Sequence, residues 1–578
     1  MKKKSNLHSE VSTVQVPDLS RISQRGLYNP DNEHDSCGVG VVANINGSKS
    51  HDVIKQGLEV LVNLEHRGAC GCDPDTGDGA GILIQTPHQF MKKVVSNKNI
   101  SLPSAGQYGI GMMFLPTDDS LRKQCEKIIE KTLMRHGLGF LGWRDVPVDP
   151  SAIGSMARAI MPRIKQCFAQ TLVKQENDEL ERILYVSRKV IEKKVRDLIT
   201  DDNKQQLTDF FYVCSLSSRT VIYKGLILGN QIKDFYKDLD DPSIVSTFAM
   251  VHSRFSTNTL GSWRLAHPYR MLAHNGEINT IRGNRNWMSA REKSLESDLF
   301  GHQVKDIYPV CEPNSPSDTA SLDNVFEMMR MGGRTIEQVA AMMLPAAWYG
   351  HESMPEDIKA FYQFQSGIME PWDGPAMITF TDGQTLGAIL DRNGLRPFRY
   401  LVTKDGLLVM GSETGVLDIP VEKIKYRSRL EPGRLFLVDF DQKRIVPPEE
   451  VIEKLAKRQP YRDWVGENKV ELSDLPTHNE KPNIDLSTLT MRQIAFGYSQ
   501  EDLKWLIEPM AKEGAQPLGS MGNDAPPAVL SDRPQNLFSY FKQKFAQVSN
   551  PPLDPIREKL VTQMAVPIGR RPNFLTES

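Results

Sequence analysis

The chain has 578 residues, of which 39% are hydrophobic and 25% are charged, as in ordinary globular proteins. Its 70 Lys and Arg residues against 72 Asp and Glu residues give a formal charge of -2, which argues against a nucleic-acid or membrane-surface partner. Its apolar runs are far shorter than the roughly 18 residues of a membrane span, and its scattered cysteines do not indicate disulfides. We therefore expect a cytoplasmic protein. Cys70 and Cys72 have no second Cys or His pair at zinc-like spacing, so no metal site is predicted.

The predicted elements are strands with helices between them. Residues 1–36 are polar and lack periodicity, which indicates a leader. After Cys37 the pattern predicts, in chain order, a strand at 38–45, a helix at 53–67 that ends at Gly68, strands at 79–87 and 107–116, a helix at 119–136, a charged helical insertion at 177–206, two strands at 211–225, and strands at 243–256 and 269–278.

Two antiparallel hairpins are predicted late in the chain, at 377–391 and 400–411, because an Asp-Gly pair divides each of these apolar segments. This alternation indicates layered α/β structure with much antiparallel pairing. From about residue 440 the sequence becomes rich in Pro and in charge. We therefore divide the chain into a leader (1–36), a main domain (37–440), a boundary segment (441–484) and a last segment (485–578).

Three motifs carry residues that suggest chemistry, although each alone has an ordinary explanation. Cys37 stands where the polar leader ends, but a lone cysteine is most often a small buried hydrophobic residue. Arg254, in "HSRFSTNT", suits a carboxylate ligand, but a surface salt bridge would explain it equally well. Asn275 and Gly276 can aim a side-chain amide and a backbone N–H at one point, as an oxyanion hole requires, or form a common turn.

Together the motifs supply a thiol nucleophile, a carboxylate clamp and donors for a tetrahedral oxyanion, which is the equipment of acyl transfer. The base that would activate the thiol is not evident. The candidates are the side chains of His66, His252 and His274, or the α-amino group of Cys37 if the leader is cut off. In the second case, the abrupt change at Cys37 marks a processing site.

Class-II glutamine amidotransferases of the N-terminal-nucleophile type resemble this chain in five strings that occur in the same order: "CGVG", "GDGAGIL", "HSRFSTNT", "HNGEIN" and "SDTASLDN". Longer strings, "RFSTNTLGSWRLAHPYRMLAHNGEINTIRGN", "MEPWDGPAM" and "LDRNGLRPFRY", are similar to the glutamate synthase family in particular. The resemblance extends from about Tyr28 to the last residue. It implies an α+β fold, a four-layer αββα sandwich followed by an incomplete α/β central-domain segment.

The resemblance implies that the chain hydrolyses L-glutamine to L-glutamate and ammonia through a thioester. Cys37 would be the nucleophile and, after loss of residues 1–36, the N-terminal residue. Asn275 and Gly276 would form the oxyanion hole. The sequence leaves two alternatives open: a truncated, non-catalytic or regulatory module that keeps the fold, and an N-terminal-nucleophile hydrolase of another amide.

The resemblance also implies how the two charged ends of glutamine are bound. Arg254, with Thr257 beside it, would bind the α-carboxylate, and Asp318 would pair with the α-ammonium group. Arg67, in "EHRG", occupies a position where the family keeps an arginine near the nucleophile. Because Arg254 and Asp318 match both charges of an amino acid, they argue against a different amide as the substrate.

The synthase part of this family, which binds FMN and an iron–sulfur cluster and adds ammonia to 2-oxoglutarate, is not expected in this chain. No cysteine follows Cys311, and the residues past 440 are too few for the ~250 of a (β/α)₈ barrel. We therefore expect no cofactor here. The chain would be either a truncated product or a subunit whose partners are a separate synthase chain and an electron-donor subunit.

Overall fold

The computed structural model describes residues 37–69, 73–174, 178–255, 261–312, 315–476, 485–514, 528–535, 537–540, 555–562 and 566–569, and the single residues 571, 573, 575 and 576. The strands are β1 (Gly38–Asn44), β2 (Ala80–Gln85), β3 (Tyr108–Leu115), β4 (Leu138–Asp145), β5 (Arg163–Thr171), β6 (Tyr212–Ser217), β7 (Thr220–Gly225), β8 (Phe248–Ser253), β9 (Leu272–Gly276), β10 (Ala376–Thr381), β11 (Thr385–Leu390), β12 (Arg399–Thr403), β13 (Leu407–Gly411), β14 (Ile424–Arg429), β15 (Leu435–Asp439) and β16 (Arg444–Val446).

The helices are α1 (Asp52–Asn63), α2 (His88–Val95), α3 (Asp119–Arg135), α4 (Ser155–Ala159), α5 (Glu179–Arg196), α6 (Lys204–Asp209), α7 (Ile232–Phe235), α8 (Ile281–Glu292), α9 (Asp318–Met331), α10 (Ile336–Met343), α11 (Glu356–Ile368), α12 (Pro448–Ala456), α13 (Tyr461–Asn468), α14 (Leu489–Ala495), α15 (Glu508–Glu513) and α16 (Pro555–Val561). One compact unit holds the described residues up to Gly466 together with those from Pro555 onward, and a second holds the described residues between Glu467 and Asp554.

Two antiparallel sheets form the centre of the first unit. The larger has the strand order β14-β12-β13-β1-β8-β2-β7, and the smaller has the order β16-β15-β11-β10-β9. Strand β1 therefore lies in the middle of the larger sheet, where its first residue, Gly38, pairs with Ser253 at the end of β8. In the smaller sheet the last residue of β9, Gly276, pairs with Ala376 at the start of β10.

The two sheets pack face to face between two layers of helices. Because successive side chains in a strand point to opposite faces, one face of each sheet supplies the inner core, with Val41 and Met250 from the larger sheet and Met377 from the smaller. The outer face of the larger sheet packs on α1. The outer face of the smaller sheet packs on α9, α10, α11 and α12. The predicted four-layer αββα sandwich is confirmed.

A separate four-stranded sheet, in the order β4-β5-β3-β6, lies in the sequence between β2 and β7. Helices α3 and α5 cover one of its faces, with Leu133 and Leu184 in their shared core. The ends of this insertion meet in the sandwich, because β2 and β7 are antiparallel neighbours and Gln85 pairs with Thr220. The predicted strand pair at 211–225 is thus divided between two sheets, β6 in the insertion and β7 in the sandwich.

Several charged side chains of α5 are buried and do not face solvent. Arg188 is buried and forms ion pairs with Glu192 at 2.7 Å and with Glu327 of α9 at 2.5 Å. Lys189 donates to the carbonyl oxygens of Pro309, at 2.7 Å, and Val310. These contacts attach the insertion to the helix layer of the sandwich.

The first unit continues beyond residue 440. Val451 and Leu455 of α12 and Tyr461 of α13 are buried in the same core as α9 to α11. Leu575, close to the last residue of the chain, is buried there too. The helix layer on the smaller sheet is therefore completed by segments from well outside the predicted main domain.

The second unit, described by itself, consists of short helices: α14, a π-helical stretch at Asp502–Ile507 and α15. Its apolar side chains are largely exposed, among them Phe496 and Trp505, of which 80% and 63% are accessible. Apolar surface of this extent is characteristic of a contact surface. None of the helices in the described parts of the chain is long and apolar enough to cross a membrane.

Candidate active site

Cys37 directly precedes β1 and contacts residues of both large sheets. Its Sγ is 3.3 Å from both the backbone nitrogen and the carbonyl oxygen of Phe255, which follows β8 of the larger sheet. Its own carbonyl oxygen accepts a hydrogen bond of 2.7 Å from Nδ2 of Asn275, in β9 of the smaller sheet. The predicted nucleophile and the predicted oxyanion donor are therefore direct neighbours.

The side chain of Asn275 makes two polar contacts inside the sandwich. It is 1% exposed, and its Nδ2 also lies 3.5 Å from Oγ of Ser412, the residue after β13. The same hydroxyl accepts a hydrogen bond of 2.9 Å from the backbone N–H of Val39. Ser412 thus fixes the start of β1 beside Asn275. Sequence reasoning missed it, because a serine that follows a strand has no distinctive pattern.

Gly276 adopts a backbone conformation that only glycine occupies readily. Its φ is +138°, and a Cβ added there would lie 1.8 Å from the carbonyl oxygen of Pro375. That oxygen also accepts a hydrogen bond of 3.1 Å from Glu277. The chain therefore passes so close to the start of β10 that no side chain fits, and this fixes the position of the adjacent Asn275.

We expect Gly276→Ala to destabilise the protein by about 1–3 kcal/mol from backbone strain alone, and by more from the clash with Pro375. The free energy of unfolding, measured in urea, checks this. Gly283→Ala, in α8, is the matched control, because a Cβ there meets no atom within 4 Å and alanine favours a helix by about 0.5–1 kcal/mol. Equal stability of the two variants would contradict the assigned strain.

Arg254 follows β8 directly and is 8% exposed. Its backbone is fixed on both sides, since its N–H donates to Gly79 O at 2.8 Å and its carbonyl accepts from the N–H of Ala69 at 3.1 Å. One guanidinium nitrogen, Nη1, is 3.5 Å from the carbonyl oxygen of Asp78. The end of β8 therefore brings this cation to the same end of the sandwich as Cys37.

Asp318 is the first residue of α9, where a negative charge interacts favourably with the helix dipole. Its Oδ2 accepts from the backbone N–H of Ile278 at 2.9 Å, and its Oδ1 accepts from Thr319 N at 2.6 Å. Among the residues that the structure describes, no cationic side chain forms an ion pair with it. The carboxylate is therefore suited to receive a cation from outside the protein.

Three histidines form a buried cluster next to these residues. A ring nitrogen of His252 is 3.0 Å from His274 O, the rings of His252 and His267 stack 4.1 Å apart, and Nδ1 of His274 is 2.9 Å from Thr319 Oγ1. Burial lowers the pKa of His252 to about 3 and lowers the pKa values of the other two. In the described structure neither His252 nor His274 hydrogen-bonds to Cys37, so these two predicted bases do not fit.

His66 and Arg67 both bind Glu413, the residue after Ser412. Nε2 of His66 is 3.0 Å from Oε2 of Glu413, and Nε of Arg67 donates to the same oxygen. The Cβ of Arg67 lies 3.3 Å from the position that a Cβ would take at Gly38. The backbone of Arg67 thus lies near that of the residue after Cys37, but its guanidinium is already bound to a carboxylate, and a role in binding glutamine stays a prediction.

The thiol of Cys37 is not activated by its surroundings alone. Burial raises its pKa above the ordinary value, and the charge of Asp318 adds to this rise. The N–H of Phe255 and the charges of Arg254 and Arg396 act in the opposite direction. Because the thiolate is the reactive form, a thiol with a raised pKa needs a base.

Two further predictions concern Thr257 and metal binding. Thr257 lies outside the described residues. No group of three or more His, Cys, Asp or Glu side chains in the described segments is arranged to hold a metal ion.

Comparison with known families agrees with this arrangement. The model of the class-II glutamine amidotransferases matches residues 37–464, from Cys37 through every element of the sandwich. This chain belongs to the class-II glutamine amidotransferases. A second family model, of the glutamate synthase central domain, matches residues 491–578.

Among individual proteins, the chain is similar to glutamate synthases. It is 48% identical to the NADPH glutamate synthase large chain of Bacillus subtilis, over 96% of this chain and 36% of that protein. It is 40% identical to ferredoxin-dependent glutamate synthase 2 of Synechocystis, over 94% of this chain and 34% of that one. It is 41% identical to NADH glutamate synthase of Saccharomyces cerevisiae, over 99% of this chain and 27% of that protein. The chain thus spans about a third of the length of these relatives.

Proposed function

We propose that this chain hydrolyses L-glutamine to L-glutamate and ammonia at Cys37, as the amidotransferase part of a glutamate synthase. The observation that supports this most is the contact of 2.7 Å between Nδ2 of Asn275 and the carbonyl oxygen of Cys37. It puts an amide donor beside a thiol, at a place where Arg254 and Asp318 also converge. A nucleophile, an oxyanion donor and two opposite charges are what hydrolysis of an amino-acid amide requires.

In the proposed reaction, residues 1–36 are first removed and the new α-amino group of Cys37 accepts the thiol proton. This group has a pKa of about 7.7–8.0 in model peptides, close to the working pH, whereas the buried histidines are far weaker bases. Sγ then attacks the side-chain amide carbon of glutamine. Nδ2 of Asn275 and the N–H of Gly276 hold the negative charge on the amide oxygen.

The tetrahedral intermediate collapses when the α-ammonium group of Cys37 gives its proton to the leaving nitrogen of the glutamine side chain. Ammonia departs, and the glutamyl group remains on Sγ of Cys37 as a thioester. The α-amino group then accepts a proton from water, whose oxygen attacks the thioester carbon. Glutamate leaves, and the thiol is restored for the next cycle.

Specificity for glutamine would come from charge pairing at its α-carbon. Arg254 would bind the α-carboxylate with its planar donors, and Asp318 would bind the α-ammonium group. The Asp318 carboxylate is held by backbone N–H groups of Ile278 and Thr319, so it is positioned before substrate arrives. Arg67 and Thr257 belong to this proposal as neighbours of the substrate.

We expect Arg254→Lys to raise KM for glutamine by roughly 10- to 150-fold, with little change in kcat. A lysine keeps the charge but loses the planar fork, and the loss of one charge-assisted hydrogen bond corresponds to about 1.5–3 kcal/mol. Steady-state kinetics of ammonia release checks this. The exposed Arg399, changed to Lys, is the matched control. A large loss of kcat at unchanged KM would contradict the assigned role.

The proposal extends to the fate of the ammonia. The relatives' names refer to NADPH, NADH or ferredoxin as the reductant of glutamate synthesis. We propose that ammonia released at Cys37 is added to 2-oxoglutarate on a synthase part, in the same protein or in a partner chain that works with an electron donor.

Intact mass and ammonia release from the purified full chain test the proposal together. We expect loss of residues 1–36, glutamine hydrolysis that depends on this loss, and a thioester-trapped mass increase on Cys37 after acid quenching. Full activity with residues 1–36 still attached would contradict the amine base. A processed chain that releases no ammonia would instead support the alternative of a non-catalytic module, and faster hydrolysis of another amide would support a different substrate.

A further inference from the structure

The segment 391–398 links the two sheets at the end of the sandwich where the candidate site lies. It leaves β11 in the smaller sheet and enters β12 in the larger sheet. At its start, Oδ1 of Asp391 accepts a hydrogen bond of 3.1 Å from the N–H of Ala376. Ala376 is the strand partner of Gly276. The segment, called the crossover below, therefore begins beside the proposed oxyanion hole.

The other end of the crossover is fixed next to the nucleophile. Arg399, the first residue of β12, pairs with Gly411, and Gly411 also pairs with Gly40 of β1. The next residue after Gly411 is Ser412, whose hydroxyl accepts the N–H of Val39. A residue in the crossover is thus confined between the start of β1 and the end of β9.

Arg396 lies in this crossover, and within the described part of the chain its cationic side chain has no ion-pair partner. Its Nε is buried and has no hydrogen-bond acceptor. No residue that the structure describes forms an ion pair with its guanidinium. A buried polar atom without a partner costs stability, and a half-buried cation with such an atom suits a negative charge that arises only during a reaction.

The direction of its electrostatic effect agrees with its position. The charge of Arg396 lowers the pKa of the Cys37 thiol, against the effects of burial and of Asp318. It also acts on His274, the neighbour of Asn275. The other groups that face the thiol are Arg254, at the end of β8, and the backbone of Phe255. Arg396 is therefore the cation that reaches Cys37 from the side of the two-sheet crossover.

We propose that Arg396 is a further residue of the amidotransferase site, and that its guanidinium stabilises the negative charge on Sγ of Cys37 during attack. Its part in glutamine hydrolysis rests on the proposed function, but its effect on the thiol does not. Arg254 would hold the substrate and also favour the thiolate by its charge, whereas Arg396 would act on the nucleophile alone. Loss of Arg396 would then affect the thiol without affecting the binding of glutamine.

The rate at which iodoacetamide alkylates Cys37, followed by peptide mass over roughly pH 6–10 in the full chain, tests this without glutamine. Thiolate is the form that reacts. We expect Arg396→Met to shift the alkylation profile upward by about one pH unit or more. Arg396→Lys, which keeps the charge, should shift it much less. Arg399→Met, three residues further along and exposed, should not shift it.

An unchanged alkylation profile in Arg396→Met would overturn the proposal. A raised KM for glutamine with an unchanged profile would overturn it too, because Arg396 would then bind the substrate carboxylate. If Arg396→Met does not fold, Arg396→Gln, which keeps the polarity of the side chain, takes its place with the same expectations. A shifted profile in a chain that does not hydrolyse glutamine would reject the proposed function while supporting the role of Arg396.

Discussion

Cys37→Ser is expected to lose at least ~10⁴-fold in the rate of glutamine hydrolysis and to lose residues 1–36 more slowly. A hydroxyl ionises far less readily than a thiol, and burial already raises the pKa of the group at this position. When several residues act together as one nucleophilic unit, removing any one of them abolishes nearly all of the enzyme's activity. Ammonia release and intact mass, measured on the same preparation, check both expectations.

Cys125→Ala is the control for this variant. Cys125 belongs to α3, and its side chain is buried in the core of the insertion, away from the candidate site. Its removal should lower the stability of the insertion and leave kcat unchanged. Activity of Cys37→Ser within tenfold of the unchanged protein, at full folding, would mean that Cys37 is not the nucleophile.

Asn275→Ala is expected to lower kcat by about 10²–10³-fold with KM for glutamine nearly unchanged. The lost amide is one oxyanion donor, and removal of one such donor costs this much in comparable enzymes. The contact of Nδ2 with the Cys37 carbonyl, at 2.7 Å, is lost as well, so some loss of stability should accompany it. Steady-state kinetics with an unfolding curve separates the two effects.

Asn44→Ala provides a matched comparison, because Asn44 is the last residue of β1, at the end of that strand remote from Cys37. Its Nδ2 donates to the carbonyl of Ser48 at an exposed turn. We expect its kinetics to be normal. If Asn275→Ala raised KM and kept kcat, Asn275 would be a substrate-binding residue and the oxyanion hole would have to be assigned elsewhere.

Turn chemistry and alternation were sufficient to predict part of the fold. Both late hairpins are confirmed, and in each the glycine of the Asp-Gly turn has a positive φ, +86° at Gly383 and +89° at Gly406. Helix α3 is confirmed as well, with the side chain of Asp118 accepting the N–H of Leu121 at 2.8 Å. These features depend on a few adjacent residues, which is why sequence alone is enough.

Elements without a polar face could not be predicted in this way. In α9 every residue except Asp318 and Ala320 is buried, so the helix has no amphipathic period. Strands β4 and β5 were missed, and the segment of α5 was predicted only as a charged helical insertion. Its buried Arg188 is neutralised by Glu327 from another part of the chain, and no local pattern indicates such a partner.

In the candidate site, too, some residues could be predicted from the sequence and others could not. Cys37, Arg254 and Asn275 were singled out from their motifs and Asp318 from the resemblance, and the structure brings them to one end of the sandwich. Ser412 was missed because its contact with Val39 joins residues 373 positions apart. The choice of base was also beyond the sequence, since the weakness of the buried histidines as bases follows from their burial.

The insertion between β2 and β7 has a consequence for the order of folding. Gln85 and Thr220 pair across all of residues 86–219, and closing so long a loop costs about 3 kcal/mol more in chain entropy than closing a short hairpin. In the sheet β4-β5-β3-β6, the β4–β5 and β3–β5 pairs join nearer neighbours in sequence and can form before the β3–β6 pair, which joins Ile110 to Ser217. Once formed, this sheet holds β6 next to the start of β7. If the insertion forms early, it brings the ends of β2 and β7 together. We therefore expect that weakening contacts inside the insertion slows the pairing of β2 with β7.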